Sequence, residues 1–507
     1  MRVKRFKIFS FLLAMAFLFV SCSRSQQAPD VSSQAAASAT QEESGILYPP
    51  ELPAYDSEAP FENVGSGTVE DVFEALDGSS SAATSSQQQS ATTSSKNSSS
   101  SKASSSKASS AAASSKAASS KPVESKPSAE QTPTQSVKAP SGEMRAVWLS
   151  YLDLETILKS KSQAEAKAGI DKAFDKIAAQ DMNTVIVQVR PFADALYDSQ
   201  YFPWSKILTG TQGKNPGYDP LSLMVSAAHK RGLEIHAWVN PYRILTTTDM
   251  SKLSSDNIAK QWYEDEEDYT IVVDSKGIFF NPARPEVRKL IVNGVKELVS
   301  GYDIDGVHFD DYFYPTTSSS FDKTAYDEYK AGGGTLSLAG WRLDNVNKLI
   351  SDTYSAVKAI NSSVQFGVSP QANVDINYSS QYADVKTWCK TPGYIDYIMP
   401  QVYFGFENGT CPYQDTVELW NSMIKASGVK LYTGLAVYKI GVNDQWAGAG
   451  ADEWQDTTTM LKRQVSAARE LSKYSGFALY RYDSIFNPAS SVKTSVSEEL
   501  ENLQSIL

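Results

Sequence analysis

The C-terminal part of this chain is predicted to be a (β/α)8 TIM-type barrel, an α/β fold, preceded by a disordered linker rich in Ser, Ala and Lys. Short apolar segments alternate with amphipathic segments across residues 142–507, which indicates a parallel sheet with helical connections. Eight such units in ~365 residues are typical of a closed barrel with extended loops. The alternative, a doubly wound open sheet, is disfavoured because no glycine-rich phosphate loop follows the first strand.

The predicted strands are short and rich in β-branched and aromatic residues. They cover residues 145–150, 184–189, 234–239, 306–310, 364–369, 397–401, 431–436 and 476–480. Apolar residues at helical spacing predict the helices between them. These helices cover residues 164–179, 220–231, 285–299, 341–360, 415–427 and 457–474.

Residues 1–22 have the pattern of an export signal. A charged start is followed by an apolar core, residues 9–20, that is short for a membrane-spanning helix. The core ends in Leu18-Phe19-Val20-Ser21-Cys22, which resembles a bacterial lipobox. We therefore predict that Cys22 is lipidated and that the exported protein is anchored to the outer face of the bacterial cell membrane. An ordinary secretory signal with a chance cysteine is the alternative.

Residues 23–141 are predicted to be a disordered tether. Residues 79–128 are almost entirely Ser, Ala, Lys, Thr and Gln, and this composition offers too little apolar surface to offset the entropy of ordering. A flexible segment of roughly fifty such residues reaches ~40 Å, enough to let a folded head explore the space between membrane and cell wall. Residues 46–76 are less biased in composition, and their role stays open.

The composition excludes several classes of function. A net charge of −11 argues against a nucleic-acid partner bound through its phosphates. Besides Cys22 there are only Cys389 and Cys411, so the chain is not a disulfide scaffold. The three histidines lie on separate segments without zinc-ligand spacing, and neither a metal nor another cofactor is expected.

The most informative segment is residues 304–315, where an apolar strand ends in Asp310 and Asp311 and is followed by aromatic residues. In a (β/α)8 barrel the active site lies at the C-terminal ends of the strands. Cleavage of a glycosidic bond requires a carboxyl group that donates a proton and a second group that stabilises the developing positive charge. We therefore predict that Asp310 and Asp311 are catalytic. Asp310 is the more inward of the two, and Asp311 is either the second carboxylate or the group that orients the first.

Polar and aromatic residues also follow the other strands, whereas the starts of the strands are plainer. Aromatic rings offer stacking faces for sugars, and Arg, Asn and Gln offer hydrogen-bond donors. The predicted substrate-binding residues are Arg190, Asp194, Trp238, Asn240, Tyr242, Arg243, His308, Tyr312, Gln401 and Tyr403. Reserve candidates for the second carboxylate are Asp194, Asp375, Glu407 and Asp483. No G-x-S-x-G motif or Cys–His pair indicates a nucleophilic triad.

Five segments together resemble the glycosyl hydrolase-like 10 family, which includes exported bacterial lipoproteins. They are residues 145–149, 187–191, 236–243, 305–312 and 400–403. The resemblance covers about residues 142–480 and implies a (β/α)8 barrel. It also implies hydrolysis of peptidoglycan glycan strands stripped of stem peptides, between N-acetylmuramic acid and N-acetylglucosamine. Its motifs include Asp310, Asp311, Arg190, Asn240 and Gln401.

Residues 305–310 also resemble the strand-four motif of substrate-assisted chitinases, with His308 in place of an Asp and Tyr312 in place of the acid Glu. An acetamide-assisted route, in which Asp310 orients an N-acetyl group, therefore stays open. Three functions follow from the sequence. The first is a membrane-anchored hydrolase of cell-wall glycan, the second a barrel that binds glycan without cutting it, and the third an exported hydrolase of environmental polysaccharides.

Overall fold

In the computed structural model, which describes residues 142–507, eight parallel strands form a closed barrel, as the sequence predicts. Around the barrel the order is β1-β11-β10-β9-β8-β7-β3-β2. The barrel strands are β1 Met144–Leu149, β2 Thr184–Arg190, β3 Glu234–Val239, β7 Gly306–Phe309, β8 Gln365–Val368, β9 Tyr397–Ile398, β10 Lys430–Ala436 and β11 Tyr474–Tyr480. The signal at residues 1–22, with Cys22, and the tether at residues 23–141 lie outside the described residues.

Three strands that the sequence analysis did not predict form a separate antiparallel sheet, in the order β4-β6-β5. They are β4 Arg243–Leu245, β5 Thr270–Val273 and β6 Gly277–Phe280, all in the connection between β3 and β7. Gly277 has a φ of +121°, and a Cβ at this position would lie 2.1 Å from the carbonyl oxygen of Leu245. A glycine is therefore required where β6 meets β4.

The six predicted helices are present, with ends shifted by a few residues. Their observed bounds are Gln163–Ala178, Pro220–His229, Pro285–Gly301, Leu338–Ile360, Tyr413–Met423 and Met460–Arg469. Nine further α-helices in residues 142–507, most of them shorter, were not predicted. They are Tyr151–Leu158, Lys206–Thr209, Ile258–Glu264, Lys323–Ala331, Val374–Ser379, Val385–Lys390, Glu453–Asp456, Tyr482–Phe486 and Lys493–Gln504. Within residues 142–507, no helix combines the length and apolar character needed to cross a bilayer.

Local sequence explains where the long helices begin. Ser162 and Glu165 form a capping box, in which each side chain bonds the backbone N–H of the other residue. Asp219 caps the next helix by accepting from the N–H of Ser222, and Pro220 occupies the first helical position, where no N–H is needed.

A hydrogen-bonded polar ladder lies inside the barrel below the predicted active site and consists of Trp148, His308, Tyr397 and His236. The indole N–H of Trp148 donates to Nε2 of His308 (3.3 Å), and Nδ1 of His308 lies 2.9 Å from the hydroxyl of Tyr397. The same hydroxyl lies 3.0 Å from Nδ1 of His236. Burial lowers the pKa of both imidazoles, that of His236 to about 4, so both stay neutral at physiological pH.

Glycines make room for the rings of this ladder. A Cβ on Gly367 would lie 2.1 Å from the Tyr397 ring, and a Cβ on Gly306 would lie 2.5 Å from the His236 ring. Both distances are far shorter than real contacts, so any side chain here would displace the ladder. The ladder in turn supports the strand end that carries Asp310.

At the lower end of the ladder, Glu234→Gln is expected to change how stability depends on pH. Burial, followed by the charge of Asp305, raises the pKa of Glu234 to about 7, and its Oε2 lies 3.9 Å from Nε2 of His236. In the unfolded chain this carboxyl has a pKa near 4.3. The stabilising contribution of Glu234 to the free energy of unfolding is therefore fully present below that pH, and it is lost as pH rises through about 7.

The variant should consequently gain stability relative to the wild type as pH increases, by up to about 3 kcal/mol between pH 4.5 and 8. Urea unfolding of both proteins at pH 4.5, 6 and 8 measures this difference. A difference that is the same at all three pH values would contradict the expectation.

Candidate active site

Asp310 directly follows β7 and lies on the same side of the strand as His308, inside the barrel. Side chains two residues apart along a strand share a face, so the position of His308 determines that of Asp310. The indole N–H of Trp238, on the adjacent strand β3, donates to Oδ2 of Asp310 (3.0 Å). The backbone N–H of Tyr312 donates to Oδ1 (3.3 Å). These two donors fix the orientation of the carboxylate, as the chemistry at a single reacting bond requires.

Asp311 is held by amide groups from the neighbouring strand ends. The side chain of Gln401, after β9, donates to Oδ1 (3.1 Å), and that of Gln381, after β8, lies 3.5 Å from Oδ2. Gln401 also donates to the carbonyl oxygen of Ser369 (3.1 Å), which fixes its amide. Burial raises the pKa of Asp311, although the hydrogen bonds from the glutamines oppose this effect. Retaining a proton to higher pH is the property required of a general acid.

Three tyrosines stand beside the carboxylates. The ring of Tyr403, after β9, lies 5.8 Å from that of Tyr480 and 5.9 Å from that of Tyr438. Burial raises the pKa of Tyr403 well above its usual value, and the charges of Asp311 and Asp310 add to this shift. Tyr403 is therefore within electrostatic range of both carboxylates. The three rings Tyr403, Tyr438 and Tyr480 are together called the tyrosine cluster.

Arg243 lies between two aromatic rings after β3. Its guanidinium carbon is 4.5 Å from the centre of the Tyr312 ring and 4.9 Å from that of the Phe192 ring. Stacking of this kind holds a cation in place through the ring quadrupole. The neighbouring ring of Trp238 packs edge-on against His308, with the two ring centres 6.3 Å apart.

Asn240 presents an unused donor at the end of β3. Its Oδ1 accepts from the side chain of Gln188 (2.7 Å), and Oε1 of Gln188 accepts from the backbone N–H of Tyr151 (2.8 Å). These contacts fix the amide orientation of Asn240. Its Nδ2 is buried and has no acceptor among the described residues. A buried donor of this kind is costly without a ligand, so it is a fitting contact for a sugar oxygen.

Three of the predicted substrate-binding residues make their described contacts away from Asp310 and Asp311. They are Arg190, Asp194 and Tyr242. The Arg190 guanidinium stacks on Phe202 at 4.4 Å and lies close to Gly294 on helix Pro285–Gly301, and burial lowers its pKa to about 10. Asp194 accepts from the side chain of Gln212 (3.0 Å) within the loop after β2.

The side chain of Tyr242 is fully buried, and its carbonyl oxygen accepts from the backbone N–H of Phe280 (2.8 Å) in β6. Substrate binding by Arg190, Asp194 and Tyr242 stays a prediction, since no contact described for residues 142–507 places them against the carboxylates.

The amino-acid comparisons identify the family of the chain. Residues 143–448 match the model of a family described as glycosyl hydrolase-like 10. The chain belongs to this family.

Curated relatives agree with this assignment. Glycosyl hydrolase YngK of Bacillus subtilis is 37% identical, over 71% of this chain and 72% of its own length. Glycosyl hydrolase DigH of Escherichia coli K12 is 34% identical, over 71% of this chain and 88% of its own. Among solved structures, the PgaB (BpsB) glycoside hydrolase domain of Bordetella bronchiseptica is 12% identical with a TM-score of 0.44, covering 70% of this chain and 98% of its own. The predicted family membership is thus confirmed.

Three of the four reserve carboxylates are exposed or half exposed, and the fourth, Asp194, is buried. The side chain of Asp375 is 91% exposed, 3.7 Å from Nζ of Lys386. Glu407 is exposed, and Asp483 is half exposed, 3.8 Å from the guanidinium of Arg481. Neither the exposed groups nor Asp194 has a contact with Asp310 or Asp311 among those described, so the adjacent pair remains the best candidate.

One buried ion pair at the same end of the barrel escaped the sequence analysis. The Arg481 guanidinium, after β11, donates to Oδ1 of Asp153 (2.6 Å). The backbone N–H and the hydroxyl of Ser150 both donate to Oδ2 (2.8 Å). This pair joins the ends of β1 and β11. Its partners are more than three hundred residues apart in sequence, so no local pattern could have revealed it.

Proposed function

We propose that this protein is a glycoside hydrolase that cleaves peptidoglycan glycan strands or a related N-acetylated polysaccharide. The observation that carries the proposal is the pair Asp310 and Asp311 at the C-terminal end of β7, each held by fixed donors, in a barrel of a glycosyl hydrolase-like family. Two carboxyl groups in different surroundings can divide the acid and charge-stabilising roles.

Asp311 is assigned the role of proton donor to the departing sugar oxygen. Burial raises the pKa of its carboxyl, which favours the protonated form that this step consumes. Asp310 is assigned to the other side of the reaction, where its carboxylate stabilises the positive charge that develops on the sugar or orients an N-acetyl group that attacks it. The Trp238 indole holds Asp310 in the orientation for either task.

The neighbouring residues match an N-acetylated sugar. The free donor of Asn240 suits an acetamide or hydroxyl oxygen, and the Arg243 guanidinium suits the lactyl carboxylate of N-acetylmuramic acid. Tyr438, the partly exposed member of the tyrosine cluster, supplies apolar surface for a sugar face, and Tyr403 packs against it. Together these residues support recognition of wall glycan in preference to a sugar without N-acetyl or carboxylate groups.

The proposed place of action is the outer face of the bacterial membrane. The sequence supports this through the lipobox-like segment ending in Cys22 and through the Ser-rich tether of residues 23–141. A lipid anchor combined with a long flexible segment would hold the barrel at the membrane and let it reach the wall. Retention of the protein in the membrane fraction, lost in Cys22→Ala, tests this part separately.

Mass spectrometry of products is the test of the proposed activity. The purified protein is incubated with glycan strands lacking stem peptides, with intact peptidoglycan and with chitin oligomers. A ladder of disaccharide-spaced products from the stripped strands is the expected result, and the sugar at the new reducing end identifies the bond that is cut. Products from chitin alone would overturn the wall substrate, and glycan binding without any product would replace hydrolysis by a binding role.

A further inference from the structure

Trp446 is the most exposed large apolar side chain of residues 142–507, at 59%. It lies in the loop of residues 437–457, which follows β10 and is therefore at the same end of the barrel as Asp310 and Asp311. A single exposed apolar residue is common on protein surfaces and is not a site by itself. Three further observations on this loop suggest a function.

First, the loop is held rigidly around the indole. Nζ of Lys439 lies 2.6 Å from Oδ2 of Asp444, which is buried. The backbone N–H of Asp444 donates to the carbonyl oxygen of Ala451 (2.8 Å), and that of Ala447 donates back to Asp444 (2.9 Å). Because these bonds flank Trp446 on both sides, little conformational freedom remains to be lost when a ligand binds.

Second, the loop is packed against the loop that follows the neighbouring strand β9. The backbone N–H of Gly409 donates to the carbonyl oxygen of Ala447 (2.9 Å). A Cβ on Gly450 would lie 2.6 Å from the carbonyl group of Glu407, so the two backbones are in close contact. The side chain of Glu453 accepts from the N–H of Glu407 (2.9 Å). The loop of residues 437–457 and the loop after β9 thus form one rigid unit.

Third, this pair of packed loops is continuous with the candidate active site. Tyr438, at the start of the same loop, packs against Tyr403 at 5.9 Å and Tyr480 at 6.3 Å. Tyr403 is the ring whose pKa reflects the charges of both catalytic carboxylates. The loop therefore extends from the site outward to Trp446.

We propose that Trp446 is a distal stacking platform for a sugar ring of a glycan strand whose cleaved bond lies at Asp310 and Asp311. The proposal rests on the function proposed above. The flat indole suits the apolar face of a pyranose, and the exposed neighbours Asn443 and Gln445 suit its hydroxyl and acetamide groups. Lys439 pairs with Asp444, the carboxylate two residues from Trp446, and so offsets its charge.

A protein partner fits this surface less well. The exposed large apolar residues of this loop are Trp446 and Val442, which is 45% exposed. A single Trp offers roughly 150–250 Å² of contact area. Stable protein interfaces need about 800 Å² from each partner. A glycan strand, by contrast, needs only one aromatic ring for each sugar that is stacked.

The test compares Trp446→Ala with the wild type on stripped glycan strands of increasing length. The expected result is a loss of kcat/KM that grows with strand length, reaching roughly tenfold on long strands and residing in KM. Trp446→Phe should recover most of the loss, because a flat ring remains. Ile360→Ala is the control, since this residue is also exposed (41%) but ends the helix Leu338–Ile360, which leads into the start of β8 and therefore lies at the opposite end of the barrel.

An equal loss of kcat/KM on short and long strands, or no loss on any strand, would contradict the proposed role of Trp446. Calorimetric titration of both proteins with long strands separates this result from failure of the proposed function. If the wild type cuts no substrate but binds long strands several-fold more tightly than Trp446→Ala, the platform is supported and hydrolysis is not. Equal affinity of the two proteins for long strands would refute the platform whatever the activity.

Discussion

Asp310→Asn should reduce glycan cleavage by at least about a thousandfold while leaving the fold unchanged. The amide has the same shape, and its one oxygen can still accept from the Trp238 indole, so the packing is kept at the cost of the longer hydrogen bond from the backbone N–H of Tyr312. What the variant loses is the negative charge that stabilises the reacting sugar or orients its N-acetyl group. Initial rates of reducing-end release, together with the thermal unfolding midpoint, measure the two quantities separately.

Asp375→Asn is the matched control for this experiment. It removes a carboxylate that also follows a barrel strand, but the side chain is 91% exposed and lies 3.7 Å from Lys386. Its activity should stay close to that of the wild type. Unchanged cleavage in Asp310→Asn would remove this residue from the mechanism, and a lowered unfolding midpoint would show that the loss reflects folding instead.

Arg342→Met should destabilise the fold by about 3–5 kcal/mol. Arg342 and Asp322 are both fully buried, and the guanidinium donates to both carboxylate oxygens, at 2.9 and 2.6 Å. It also donates to the carbonyl oxygens of Thr317 and Ser318, at 3.1 and 2.7 Å. Without it, Asp322 would be a buried charge with no cation beside it. Urea unfolding measures the loss.

We expect this ion pair to matter for activity, because it fixes the chain that leaves the proposed catalytic carboxylates. Residues 310–322 run from Asp310 to the start of helix Lys323–Ala331, and Arg342 ties the end of this segment to helix Leu338–Ile360. Activity of Arg342→Met should therefore fall as well, at temperatures where the variant is still folded.

Two further variants test the cause of the loss. Replacing both partners, in Arg342→Met with Asp322→Leu, removes the unpaired charge and should recover much of the stability. Arg288→Met breaks an ion pair whose carboxylate partner Asp352 is 55% exposed, and should cost less than about 1 kcal/mol. Similar losses in Arg342→Met and Arg288→Met would contradict the assigned role of burial.

Local patterns in the sequence predicted most of the barrel. Most barrel strands are short, mainly apolar runs near the predicted bounds, and each long helix carries an apolar face, so both can be identified without knowledge of their neighbours. The exception is β9, which covers only Tyr397–Ile398 of the predicted residues 397–401. The sheet formed by β4, β5 and β6 was missed because its short strands lie within a single barrel connection, outside the alternation of strands and long helices on which the prediction rested. Such short runs resemble ordinary loop sequence, and only pairing with one another defines them.

The residues around Asp310 and Asp311 were harder to predict than the position of the pair at the end of a barrel strand. Gln188 and Gln381 contact Asn240 and Asp311, but glutamines on a strand or in a loop carry no local sign of such a role. Arg190 was selected because it ends a strand, yet its guanidinium packs against Phe202. The pairing of β2 with β3 shifts register between Gln188 and Arg190, and an irregularity of this kind changes the direction of the side chains beyond it.

The sequence by itself determined the type of fold, the family and the position of Asp310 and Asp311 at the end of a barrel strand. These features depend on residue types and spacings within short segments, which can be read along the chain. Only the tertiary structure decided which side chains meet the carboxylates. Contacts such as Gln401 with Asp311 and Arg481 with Asp153 join residues that are 90 and 328 positions apart, and strand order and register alone bring them together.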